Sequence, residues 1–204
     1  GPMDGAVIPE GTDLKSYPAA RGGLVTDFIF TSGKGTWLEV GTRSEGGADA
    51  VEQMGVFLTH VHELQAIRSK TPPHPLYVSY PYPVPVQITK VYAGGWGSDV
   101  PIAVPPEGRV QVVVQTLPGE QHDAVQKVQQ EWLDSLYARY PQVYATPPQI
   151  RHRIRWLPAT AMDPGHPLVT TMAGCATQVS GRAPTIIGAP YACDMFALHQ
   201  IFGM

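Results

Sequence analysis

The stretch from Gly22 to Gly35, GGLVTDFIFTSGKG, decides how this chain is read. Leu24, Thr26, Phe28 and Phe30 alternate with Val25, Asp27, Ile29 and Thr31, and both sets are largely apolar. A central strand buried on both faces has this pattern. Gly33 and Gly35 then end the strand in a turn, with Trp37 just beyond. These glycines lack the spacing and the following helix of a phosphate-binding loop, so a turn is the reading.

Working outward, Ala6-Val7-Ile8 reads as a strand end before a turn at Pro9–Asp13. Downstream, residues 48–69 carry a helical period. Val51, Met54, Phe57, Leu58, Val61 and Leu64 share one stripe, and Glu52, Gln53 and Glu63 lie off it. Residues 71–85, TPPHPLYVSYPYPVP, are too proline-broken for a helix. Their Tyr77, Tyr80 and Tyr82 suit either a binding surface or a packed loop insertion. Val86–Tyr92 and Arg109–Thr116 read as strands. Pro118-Gly119-Glu120 opens a second helix with Val125, Val128, Trp132, Leu136 and Tyr140 on its buried stripe. In a last strand, Ile150, His152, Ile154 and Trp156 alternate with Arg151, Arg153 and Arg155.

The order from Gly22 to Leu157 is therefore β-α-β-β-α-β. That is an α+β, ferredoxin-like split pattern: a four-stranded antiparallel sheet with two helices on one face. The three arginines argue for a solvated or polar-partnered opposite face. After Pro158, a short helix over 168–180, Ile186-Ile187 and Ala192–Phe202 form a piece too short for its own core, a partial α/β segment. The division expected is 1–21, with Gly1-Pro2 resembling a cleavage scar, then 22–157, then 158–204.

Composition narrows the function classes. Of 204 residues 43% are apolar, enough to build a core, and the net charge is −3. That balance offers no electrostatic case for nucleic acid or an anionic membrane. No apolar run approaches the ~18–20 residues of a membrane span, and no signal peptide is visible. Cys175 and Cys193 are too few for a disulfide framework and suit a reducing, cytoplasmic setting.

Several short motifs occur in a telling order: Glu10-Gly11-Thr12-Asp13-Leu14, Ala20-Arg21-Gly22-Gly23, Gly33-Lys34-Gly35-Thr36, Ala93-Gly94-Gly95 before Val100-Pro101, Gln115-Thr116-Leu117-Pro118-Gly119-Glu120, and Tyr191-Ala192-Cys193-Asp194. Together they resemble the dinuclear zinc amide hydrolases that include acetylornithine deacetylase, succinyl-diaminopimelate desuccinylase and glutamate carboxypeptidase. The resemblance implies a ferredoxin-like lid, or dimerisation, domain inserted into a larger metal-binding domain. It places Glu10 at a metal-ligand position, although Gly11 stands where that family has proline. The remaining ligands, an early His, a bridging Asp, an acidic residue of a Glu-Glu pair and a late His, would lie outside residues 1–204, as would the catalytic Glu. No zinc is therefore expected in this chain, only in complete members. At the lid's substrate positions the chain departs from the family: Trp37 for a His, Asp99 for an Asn, and Gln115 for an Arg. Indole carries no charge, and an amide cannot clamp a carboxylate as guanidinium does.

Plainer readings compete. Glu10 suits an exposed turn. His60 and His62 face different sides of a helix. His74 and His166 sit in solvated proline loops, and His152 reads as a satisfied, half-buried residue. Cys193 has no neighbouring His to activate it. The expectation is thus a lid/dimerisation portion of a zinc-dependent amide hydrolase, with no catalytic residue assigned. It would be inactive in this form, homodimeric through the lid, and able to meet a small N-acyl amino acid or peptide. The alternative is a non-catalytic descendant that self-associates or binds a ligand. A third reading gives Trp37, Asp99 and Gln115 new chemistry.

Overall fold

The fold turns on Gly22–Thr31, the strand β2, which is central in a four-stranded antiparallel sheet. The computed structural model describes residues 5–32, 48–95, 97 and 103–202. In chain order the elements are β1 (Lys15–Ala20), β2, α1 (Ala50–Arg68), a 3-10 turn (Pro75–Tyr77), β3 (Val86–Ala93), β4 (Glu107–Thr116), α2 (His122–Arg139), β5 (Gln149–His152), β6 (Thr160–Ala161), α3 (Pro167–Ser180), β7 (Thr185–Ala189) and α4 (Met195–Phe202).

The larger sheet has the order β3-β4-β2-β5. β2 pairs with β4 without a break, from Gly22↔Thr116 to Thr31↔Glu107, and with β5 from Thr26↔His152 to Ile29↔Gln149. Side chains alternate across a pleated strand, so Leu24, Phe28, Phe30, Val110, Val112 and Val114 share the helix-covered face and are fully buried. Phe57 of α1 fills the centre of that core. Its ring centroid lies 4.7 Å from Phe28, 5.3 Å from Phe30 and 5.3 Å from Trp132 of α2, in tilted and edge contacts that suit aromatic quadrupoles. The α+β, split β-α-β-β-α-β reading of the sequence holds.

The opposite face is polar at its centre. Asp27 is buried there, accepting from Gln111 at 2.9 Å and from the Arg153 guanidinium. Burial alone would raise its carboxyl's pKa, but these donors outweigh burial and hold it below the usual range. Arg153 is thus a partner of the sheet.

Several local expectations need correction. On α1, Val51 is 49% exposed, whereas Gln53 is buried and donates to the carbonyls of Thr31 (2.9 Å) and Ala48 (2.8 Å). These carbonyls at the strand end and helix entry need a donor, and that need outweighs apolar periodicity. α2 begins at His122, because Pro118–Glu120 form a turn with Gly119 at φ 94°. The last strand stops at His152. The chain leaves the ladder and re-pairs only where Leu157 meets Gly23, and Ile154 turns outward. In that detour Arg155 lies over the Phe196 ring at 5.4 Å.

The opening strand is not Ala6–Ile8, which has no regular structure, but Lys15–Ala20. KSYPAA has little β propensity. Its pairing partners make it a strand: β1 lies between β6, antiparallel, and β7, parallel. A register shift falls between Ser16 and Ala19. Pro18, which has no N–H to give a ladder, sits in that irregularity. Before β1 the chain turns through Asp13 and Leu14, at φ 51° and 57°, closed by Lys15 N–H to Thr12 O at 3.1 Å. Leucine is strained there. Leu14→Asn is expected to raise stability by about 0.5–1 kcal/mol in urea unfolding, since Asn tolerates the left-handed region.

α1 and α2 are also clasped at the surface. Arg139 holds the Glu63 carboxylate with both Nη atoms, at 3.0 and 2.5 Å, and His60 bridges Glu63 and the Tyr140 hydroxyl, each at 2.8 Å. The Arg139 bonds, against a smaller burial effect and with help from His60, lower the Glu63 pKa to about 2. A carboxylate depressed in the folded state stabilises above its unfolded pKa, and that contribution is lost as pH falls through the folded value. The thermal midpoint of the native chain should therefore exceed that of Glu63→Gln at neutral pH, and the difference should shrink between about pH 4.5 and 2.

Candidate functional site

A single residue, Arg21, separates β1 of the smaller sheet from β2 of the larger one. Its side chain is 5% exposed. One Nη donates to Gln115 Oε1 at 2.9 Å and Pro190 O at 3.2 Å, and the other donates to Tyr82 O at 3.1 Å. The guanidinium also lies over the rings of Tyr80 (4.8 Å) and Tyr77 (5.2 Å), contacts that favour a desolvated cation. Burial lowers its pKa despite both tyrosines.

Gln115, the last residue but one of β4, therefore directs its carbonyl oxygen at Arg21. An amide oxygen can accept there, where a guanidinium could not. Trp37 and Asp99 lie outside the described residues. Glu10 is exposed on the irregular segment before β1. It borders an apolar cleft of about 440 Å³ between that segment, α3 and α4, lined by Val7, Leu14, Leu168, Met172 and Leu198 among others. Its charge reaches Tyr191 and Cys193. Burial first, with Glu10 and Asp194 adding to it, raises the Cys193 thiol's pKa, which disfavours thiolate chemistry. Among the described residues no group of three or more His, Cys, Asp or Glu is placed to hold a metal ion. The described residues do not by themselves fit a zinc centre.

The histidines are placed unlike the sequence expectation in two respects. His74 and His166 are half-buried helix caps, not solvated: each Nδ1 accepts a backbone N–H two residues on, Leu76 at 3.3 Å and Leu168 at 3.2 Å. The repeated His-Pro-Leu was the available signal, with Pro at the first helical position each time. His152 is satisfied as expected, by Thr26 Oγ1 (3.2 Å) and Gln126 (2.9 Å), but it is exposed because β5 is an edge strand. Of the three tyrosines in residues 71–85, Tyr77 is fully buried, Tyr80 is half-buried and Tyr82 faces solvent, at 64%. The packed-insertion reading of residues 71–85 describes Tyr77 and Tyr80.

No protein-family model matches the chain, and no curated protein does. Solved structures do. A dipeptidase, Dug1p, from Saccharomyces cerevisiae superposes with a TM-score of 0.66 at 12% identity, over 92% of this chain and 47% of its own. A hydantoinase/carbamoylase family amidase from Burkholderia ambifaria gives 0.58 at 12%, over 89% and 38%. An M20-family metallo-carboxypeptidase from Sulfolobus solfataricus gives 0.53 at 14%, over 92% and 49%. The chain shares their fold. The family resemblance carried by the short motifs thus agrees with the architecture, and the chain spans under half the length of these structures.

Proposed function

We propose that this chain is the lid, with flanking strands, of a zinc-dependent amide or peptide hydrolase, and that it does not hydrolyse by itself. The observation that carries the reading is continuity: the split βαβ sheet grows out of β1 through Arg21 and returns through Leu157 to β6, in an arrangement shared with about half of a metallopeptidase fold. In the expected division, residues 22–157 form the lid, and 1–21 and 158–204 are pieces of the metal-bearing domain. Substrates of the whole would be N-acyl amino acids or small peptides. Zinc would be held by the whole, with Glu10 as this chain's contribution. The test is hydrolysis of such substrates by this chain with added zinc: no turnover is expected, and stoichiometric zinc with turnover would overturn the reading.

A second reading, a non-catalytic relative that self-associates, draws support from Gln115 and from β3. Gln115 is engaged by Arg21. β3 is an edge strand of the larger sheet, with Ile88, Val91 and Tyr92 at 40%, 52% and 61% exposure. An edge that no described strand covers, bearing apolar side chains, invites a second strand, and a second copy of this chain is the proposed partner. Sedimentation equilibrium should show a dimer that Val91→Lys weakens; a strict monomer would remove this reading. No described helix is long and apolar enough to cross a membrane. The free thiols, Cys175 exposed and Cys193 half-buried, suit the proposed cytoplasmic setting.

A further inference from the structure

We infer that the proline- and tyrosine-rich segment 71–85 is a strut that, with Arg21, fixes the larger sheet against the smaller one. The segment leaves the C-terminal end of α1 and returns into β3, so both its ends belong to the larger unit. Its middle, however, is bonded to the smaller sheet. Tyr77 Oη donates to Ala189 O at 3.0 Å and Tyr80 Oη to Gly188 O at 2.8 Å, both on β7. The Tyr77 ring also packs closely against Gly188, where a Cβ would come within 2.2 Å of Cζ. Tyr77, Val84, Ala19 of β1 and Leu117 beyond β4 form one buried cluster drawn from both units.

Arg21 completes the joint from the other side. It bonds Gln115 of the larger sheet, Pro190 just past β7 and Tyr82 of the segment itself, and its own N–H donates to Tyr191 O at 3.2 Å. Each bond alone contributes modestly, because folding exchanges it for bonds to water. Together they span two units that the chain connects only at Arg21 and at 158–159. A joint held this way has one orientation, because buried donors lose their partners if it opens. The strut goes beyond the proposed function and holds whichever reading of it survives.

The test places spin labels on the native Cys175 of α3 and on Glu131→Cys of α2, both exposed, in a Cys193→Ser background. A control pair at His62→Cys and Glu131→Cys, in a background that also carries Cys175→Ser, lies within the larger unit. Pulsed-EPR distances between positions 175 and 131 should form one narrow distribution. Tyr77→Phe with Tyr80→Phe, which keeps both rings and removes both donors, should widen it at least about twofold and leave the control pair unchanged. Arg21→Met should do the same, and if it fails to fold the tyrosine variant alone decides. A broad distribution in the native chain, or one that the tyrosine variant leaves unchanged, overturns the inference.

Discussion

Glu120→Ala is expected to destabilise the chain by about 3–5 kcal/mol in urea unfolding. The carboxylate holds Arg68, at the end of α1, through two bonds of 2.6 and 2.9 Å, and also accepts Leu117 N–H at 2.7 Å. Arg68 is 3% exposed and also donates to Gln115 O at 2.9 Å. Removing the acid leaves a guanidinium buried without its counterion and a backbone donor unpaired. Both costs follow from desolvation already incurred on folding. Arg68→Met combined with Glu120→Leu should cost clearly less than Glu120→Ala, because neither charge is then stranded. If Glu120→Ala costs under about 1 kcal/mol, Glu120 does not tie the end of α1 to the end of β4 through Arg68.

Gly22→Ala should be nearly as damaging, at more than about 3 kcal/mol, whereas Gly108→Ala should cost about 1–2. Both glycines lie on the β2–β4 pair at close approaches. A Cβ on Gly22 would meet backbone: Leu157 O at 2.1 Å and Ala159 N at 2.4 Å. Those atoms belong to the second connection between the units, and Leu157 is locked to Gly23 by bonds of 2.8 and 3.2 Å. The clash at Gly108 is with Met54 Sδ, also 2.1 Å, which is the flexible end of a side chain. Equal distances thus give unequal costs, because backbone held by a ladder cannot yield. Thermal unfolding of the two variants side by side checks this, and equal losses would refute the contrast.

The larger sheet was legible because each of its strands carries a strand pattern of its own, whatever the distance to its partner. β4 alternates cleanly over its ten residues, β2 is a ten-residue run that is buried on both faces, and the helices between strands carry apolar stripes. The smaller sheet was not. Lys15–Ala20 becomes a strand only through β6 and β7, which lie far along the chain, and no local propensity reports such pairing. The same holds for the joint. Arg21 looked like part of a motif, and nothing near it in sequence signals that Gln115, Tyr82 and Pro190 converge on it. Gln53 escapes period counting, which assigns glutamine to solvent, whereas here the carbonyls of Thr31 and Ala48 need its amide. The His-Pro-Leu repeats show the reverse case, a local cap signal that was present and unread.

We propose that this chain, which shares the fold of about half of a metallo-carboxypeptidase, holds no zinc by itself. Equilibrium dialysis of the chain against zinc, with metal measured on the retained protein, tests it most directly, with Glu10→Gln alongside. Less than one zinc per chain is expected, with no difference between the native chain and the variant. One or more tightly held zinc ions per chain, lost in Glu10→Gln, would contradict the account.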